Sequence, residues 1–481
     1  MRFSRYVQLD QVCCTLMEAV DYIQGHDDSD LCRELLNNGA QMFRDFYTIL
    51  MQFQSDWKNT KTKELLDEII CKWQDPLPDT IKERLEELRI SLKEDIVIQI
   101  RAVFFAELGG KWDSMESVYS YMCQDPRFDP VVVLTPIFRA IKVDGETKSE
   151  IVYDDYLTPM GIPFYNYRDY SIEQDCPELA FTSQPYESVT LPEYWAQNIA
   201  QYTRLVYLPY FIPYMMYSDS RTTLCQMPIY SYAWRVAGSS EKFAQYYEKY
   251  SFCRGSNLMV TGIPKMDYAV QLKEAPRAVP EAWRPKVEGR TVILWNTWFD
   301  WNASSLQILE QIVPWLTEHK EFALIWRPHP MSWSVLKLYA PEHYKRFEML
   351  LKAVNATENM IVDTEPEYAF AFSCSDAQIS DFSSMMTQYL LLDKPLLWMN
   401  IPGKSLQVVE SEDQMVSNRW MEQASNISDV LDFLGRIKNG EDRNRALRAE
   451  VCQEDLQMAD GHAAQRICDT LWKDLVQETI Q

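Results

Sequence analysis

Ala377-Gln378-Ile379-Ser380-Asp381-Phe382-Ser383-Ser384, continuing as MMTQYLLLDKPLLWM through Met399, reads as a short buried strand, a tight polar turn, a helix opening on two serines, and a second strand. Upstream, Trp326-Arg327-Pro328-His329-Pro330 directly follows the apolar run Phe322 to Ile325. Both segments put polar, anion-friendly groups at the carboxyl ends of expected parallel strands. In open α/β sheets that edge is where ligands bind. Together they suggest a site for a phosphorylated ligand.

Working outward, further strands are expected at Val292–Trp295, Met360–Val362 and Leu396–Met399, with helices near 304–318, 333–353, 366–373 and 384–392 between them. The segment from Lys273 to Gly289, with Pro276, Pro280 and Pro285, reads as a linker. Before it, strands at Ile96–Ala106, Val131–Leu134, Glu178–Thr182, Arg204–Tyr207 and Leu258–Val260 alternate with helical runs, which argues for a second parallel sheet covered on both faces. Residues 1–95 read as all-helical: Leu31, Leu35, Met42, Phe46 and Leu50 form one stripe, and Ile81, Leu85, Leu88 and Leu92 another, with Asp79 as the expected N-cap. The expected division is 1–95 helical, 96–275 a first Rossmann-like domain on the acceptor side, 276–455 a second on the donor side, and 456–481 a C-terminal helix packing back on the first.

A chain of 481 residues exceeds one ordinary core and should hold two or three domains. Its 47% hydrophobic content is globular. No apolar run approaches the roughly 18 residues of a spanning helix, so a cytoplasmic location is expected, at most peripheral at the inner face of a membrane. The 11 cysteines show no CxxC spacing and the 5 histidines no HxxxH spacing, which argues for reduced thiols and against a metal site. No cofactor is expected firmly, and a divalent cation stays open. A net charge of −23 disfavours nucleic acid and anionic lipid as general partners. With 14 glycines and no glycine-rich phosphate loop, helix N-termini and arginine are the devices left for holding an anion.

Ser383 and Ser384 can cradle a phosphate or simply cap a helix. Asp381 can hold the turn through backbone N–H groups or accept from a substrate hydroxyl. Arg327 offers a planar fork for phosphate, and Pro328 and Pro330 stiffen the backbone around His329. Asn296 and Thr297 end the Val292–Trp295 strand and can bind phosphate or sugar hydroxyls, or pack locally with Trp298 and Trp301. Glu365 and Glu367 can cap a helix or bind ribose. On the first domain Glu107, Lys111 and Asp113 follow one strand and Glu187 follows another. They face the same cleft or lie in solvated loops.

The run Ile379-Ser380-Asp381-Phe382-Ser383-Ser384 with Leu392-Asp393-Lys394-Pro395-Leu396-Leu397, the turn Ile293-Leu294-Trp295-Asn296-Thr297, Arg327-Pro328-His329-Pro330, and Thr261-Gly262-Ile263-Pro264-Lys265-Met266-Asp267 together resemble the CDP-glycerol glycerophosphotransferases. These are teichoic acid primases and polymerases of GT-B fold. The resemblance is specific over about 257–400, weaker over 96–256 and absent over 1–95. It implies an acceptor hydroxyl attacking the glycerol-bearing phosphorus of CDP-glycerol, with CMP leaving. Arg327, His329, Ser383 and Ser384 would then hold and polarise the pyrophosphate, with His329, Arg327 and Asp381 as the catalytic set. The acceptor would be a glycan, lipid-linked or teichoic-acid-like hydroxyl, and residues 1–95 could dock a protein partner. Polymerases of that family carry a histidine in a first-domain loop. The corresponding segment here, Tyr207–Tyr214, has none. Either Glu107, Asp113 or Glu187 takes the proton, or the acceptor differs, or activity is lost. A GT-B glycosyltransferase using a nucleotide sugar, or a non-catalytic nucleotide-binding scaffold, are the other readings.

Overall fold

In a computed structural model, all residues are described except 27–28, 54–56, 58–59, 108, 144–145, 212–224, 366, 402–415 and 478–481. Among the described residues, the first 95 form four α-helices: α1 (Phe3–Gly25), α2 (Ser29–Phe53), α3 (Lys61–Lys72) and α4 (Ile81–Asp95). On α4, Ile81, Leu85, Leu88 and Leu92 recur every three or four residues and are fully buried, each adding about 1.5–3 kcal/mol of apolar burial. Leu31, by contrast, is exposed, and on α2 it is Phe43, Phe46 and Leu50 that turn inward. The N-cap of α4 is Thr80 instead of Asp79, because the helix begins one residue later. Polar contacts tie the start of α1 to the first α/β domain. The Met1 ammonium donates to the Val97 carbonyl at 2.6 Å, and the Arg2 guanidinium to the Asp175 and Cys176 carbonyls.

Strands β1 (Ile100–Ala106), β2 (Phe128–Leu134), β5 (Tyr165–Asn166), β6 (Leu179–Thr182), β7 (Arg204–Tyr207), β8 (Arg235–Gly238) and β9 (Leu258–Val260) form a parallel sheet in the order β5-β2-β1-β6-β7-β8-β9. An antiparallel hairpin, β3 (Ile137–Val143) and β4 (Glu146–Val152), stands outside it. The second sheet runs β12-β11-β10-β13-β14-β15, from β10 (Thr291–Thr297), β11 (Phe322–Pro328), β12 (Met360–Val362), β13 (Ala377–Ser380), β14 (Leu396–Met399) and β15 (Glu422–Ala424), again all parallel. Both sheets are doubly wound. The chain reverses direction of travel between β1 and β6, and again between β10 and β13, so each sheet opens a crevice there at its carboxyl edge.

Strands of such sheets are buried on both faces and read as continuous apolar runs. Along β10, Val292 and Leu294 join a core shared with the first sheet and the N-terminal helices, while Ile293 and Trp295 face a separate core on the other side. The expected helix 333–353 is two helices, Ser332–Tyr339 and Pro341–Ala356, because Pro341 has no N–H to continue the ladder. The segment read as a linker contains the short helix Arg284–Val287. The C-terminal helix Ala463–Trp472 is fastened to the first sheet's helical layer. The Asp267 carboxylate accepts from the backbone N–H of Ala463 (3.0 Å) and Ala464 (2.9 Å), and Arg466 donates to the Thr261 carbonyl.

Candidate active site

The register aligns three strand ends. Asn296 on β10 lies opposite Arg327 on β11 and Ser380 on β13, and Thr297 lies opposite Pro328. The turn residues of all three therefore meet at the β10/β13 crevice. Asp381 is buried and binds the β10 turn. Its carboxylate accepts from Trp298 N–H (2.7 Å) and from Ser305 N–H (2.8 and 3.0 Å). Burial pushes this carboxyl up to about 7, against the backbone donors that favour its charged form. Its contacts are those of a turn holder, the first of the two roles open to it.

Asn296 and Thr297 are also buried and internally engaged. Asn296 Oδ1 accepts from Gln378 Nε2 at 2.6 Å, and Thr297 Oγ1 accepts from Trp326 Nε1 at 3.1 Å. Ser383 Oγ, one residue ahead of the N-cap, accepts from Met385 N–H at 3.2 Å, whereas Ser384 occupies the N-cap position of the helix Met385–Leu391 without using its hydroxyl there. Further along the same motif, Lys394 donates to the carbonyls of Phe372, Ser373 and Ser375, and Asp393 takes Arg448. That half of the motif is scaffold.

Arg327 and His329 leave β11 beside this crevice. Arg327 Nη1 donates to Asp363 Oδ2 at 2.7 Å, and the Asp363 side chain is fully buried just past the end of β12. The fork is thereby fixed by a charge-assisted bond. His329 Nδ1 lies 3.1 Å from the Met331 N–H and must accept from it, so the neutral ring carries its proton on Nε2. Burial lowers the ring's pKa to about 4, so it is neutral at physiological pH. Trp298 and Phe299 flank it, with ring centroids 5.3 and 5.1 Å away. Glu365 is exposed, and its N–H donates to Asp363 Oδ1. Glu367 accepts instead from the Tyr268 hydroxyl, a bond between the two halves of the chain.

On the first sheet Glu107 and Gln184 follow β1 and β6, and so meet at that sheet's own crevice. Gln184 Nε2 donates to Glu107 Oε2 at 2.9 Å, and Lys111 Nζ is 3.9 Å from the same oxygen. Asp113 is a junction between the two sheets. Its Oδ2 takes Lys265 Nζ (3.1 Å), the Tyr368 hydroxyl (2.8 Å) and Gln388 Nε2 (3.4 Å). Glu187 is half-buried at a 3-10 turn, with its carbonyl accepting from Trp195 Nε1. Part of the expected acceptor loop, 212–214, lies outside the described residues. The sequence alone does not single out Asp363, Tyr368 or Gln388. Asp363 is within reach of the strand-end rule, since it directly follows Met360–Val362. Among the described residues no group of three His, Cys, Asp or Glu side chains is arranged to hold a metal ion.

Among solved structures the chain is similar to S. aureus MnaA in its UDP co-structure (TM-score 0.53, 12% identity, covering 79% of this chain and 98% of that one). It is also similar to a UDP-N-acetylglucosamine 2-epimerase (TM-score 0.50, 12% identity, 78% and 96%). The wall teichoic acid polymerase TagF, as a variant with CDPG, aligns at TM-score 0.49 and 13% identity over 92% of this chain and 98% of that one. What the first two share with this chain at these identities is the fold, a GT-B-like pair of doubly wound domains facing a cleft. No curated protein sequence matches the chain. The family model described as CDP-glycerol:poly(glycerophosphate) glycerophosphotransferase matches residues 223–473, which is more than half of the chain and takes in β8 to β15 with the β10, β11 and β13 turns. This protein therefore belongs to the CDP-glycerol glycerophosphotransferase family.

Proposed function

We propose that the chain transfers glycerol phosphate from CDP-glycerol to the hydroxyl of a glycan, lipid-linked or teichoic-acid-like acceptor, releasing CMP. The observation that carries this reading is the pairing of a fixed guanidinium, Arg327 on Asp363, with the neutral His329 beside the β10/β13 crevice. Phosphoryl transfer asks little covalent chemistry of a protein and depends on positioning and charge stabilisation. Arg327 would neutralise the charge that develops on the non-bridging oxygens. His329, neutral and with Nδ1 already accepting from Met331, would donate its Nε2 proton to the pyrophosphate. Ser384, whose hydroxyl does not cap the following helix, would supply a further donor. Asp381 acts one step back, holding the Trp298 turn.

In the reaction the acceptor oxygen bonds to the glycerol-bearing phosphorus as the bridge to CMP breaks, and CMP carries away the electron pair. Among the described residues no helix is long and apolar enough to cross a membrane, so a lipid-linked acceptor would be met at a membrane surface. Released CMP, measured with CDP-glycerol and a glycerol-phosphate acceptor, tests the reading. Turnover should fall by roughly 10²–10³ in Arg327→Ala, the scale of losing one transition-state donor. Release of UDP or GDP from nucleotide sugars, with CDP-glycerol inert, would refute it.

A further inference from the structure

The acceptor's proton needs a destination in the first half, where the segment Tyr207–Tyr214 contains no histidine. Three first-half carboxylates compete for that role, and their surroundings separate them. Asp113 Oδ2 is engaged by Lys265, Tyr368 and Gln388, which hold the two halves together. Glu187 lies on a 3-10 turn beyond Gln184, with one carboxylate oxygen sealed from solvent and unpartnered. Glu107 is different. It follows β1 at the first sheet's crevice, only 7% exposed, and both of its anchoring contacts fall on Oε2. No described residue donates to Oε1. A second observation lies beside it. Tyr156 is 8% exposed, its hydroxyl is sealed from solvent with no hydrogen-bond partner among the described residues, and after burial the Glu107 charge acts on it most, ahead of Asp154 and Asp113. A buried hydroxyl is rarely left unpaired unless something else completes it.

We infer that Glu107 is the general base of the transfer, receiving the acceptor hydroxyl's proton on Oε1 while Gln184 and Lys111 hold Oε2 and the Tyr156 hydroxyl meets the acceptor. This rests on the glycerophosphotransferase reading. The acceptor O–H bond breaks toward Glu107, the acceptor oxygen bonds to the glycerol-bearing phosphorus, and the pair in the bond to CMP leaves with CMP. The proton on Glu107 is then lost to solvent. Burial raises the Glu107 carboxyl to about 7, with Lys111 and Gln184 pulling it down, which suits a base working near neutrality. The titratable groups facing it are Lys111 on its own turn and Tyr156 from the loop after β4. Lys265 acts on Lys111 in turn.

The test is steady-state CMP release from CDP-glycerol with glycerol 3-phosphate and with a short oligo(glycerol phosphate) as acceptor, across about pH 5.5–9, on both sides of the expected ionisation. Wild type should show an ascending limb near pH 7. Glu107→Gln should lose roughly 10²–10⁴ in kcat and lose that limb, with KM for CDP-glycerol within about threefold. Glu107→Asp, which keeps a carboxylate at shorter reach, should retain intermediate activity and a shifted limb. It carries the test if the glutamine variant fails to fold. Either variant with kcat within about threefold of wild type and the same limb overturns the assignment while leaving the transferase reading intact. A wild-type protein that releases no CMP overturns both.

Discussion

At the scale of single residues, the second sheet's strand ends differ in how freely their side chains can meet a ligand. Asn296, Thr297 and Asp381 are spent on the protein itself, each held by a bond to a neighbouring strand or turn. Arg327 is oriented by Asp363, and His329 is held in one tautomer by Met331. The histidine leaves a signature in acid. Its folded pKa of about 4 lies below the ordinary 6.5, so the folded state resists a proton that the unfolded chain accepts. The neutral ring's contribution is complete above pH 6.5 and is lost as pH falls toward 4. Urea midpoints of wild type and His329→Gln should therefore diverge in that window, with wild type losing stability faster, and run parallel above it. Parallel curves throughout would mean that the ring titrates normally. The sequence identified Arg327 and His329 because a buried run ends at them. It did not identify Asp363 as the arginine's partner, because that pairing depends on β11 and β12 being neighbours in space.

At the scale of elements, long apolar strands were legible and short or polar ones were not. Val292–Trp295, Phe322–Ile325 and Leu396–Met399 all lie within observed strands. β8 (Arg235–Gly238) is four residues long, with an arginine and a glycine, and carries no distinct signal. In β4 (Glu146–Val152) the run Glu-Thr-Lys-Ser-Glu is polar because the hairpin is not part of either sheet's core. The segment Thr261 to Asp267 resembled a family motif, and its residues are occupied in fastening elements. Gly262 has φ +79, and a Cβ there would lie 2.6 Å from the Met458 carbonyl oxygen. Asp267 receives the first N–H groups of the helix Ala463–Trp472. Asp267→Ala should cost about 1–2 kcal/mol, the size of a lost N-cap, and should speed hydrogen exchange in that helix first. Uniform exchange changes across the chain would contradict a local fastening.

At the scale of the whole molecule, a continuous core links the N-terminal helices, the first sheet and one face of the second. A polar seam completes the join: Asp113 with Lys265, Tyr368 and Gln388, and Tyr268 with Glu367. None of this was readable from local pattern, since Asp113 and Tyr368 lie 255 residues apart in the chain. The seam holds Asp113, six residues beyond Glu107, against Tyr368 and Gln388 of the second half. A protein of net charge −23 repels an anionic donor, so binding must depend on the few cations held at that cleft. Arg327 is held by Asp363 beside the β10/β13 crevice. Calorimetric titration of CDP-glycerol into wild type and Arg327→Ala, both confirmed folded, tests this most directly. The dissociation constant should weaken by about 10- to 100-fold in the variant, the scale of a lost charge-assisted pair. Equal affinity in the two proteins would contradict a donor held at the second sheet's crevice.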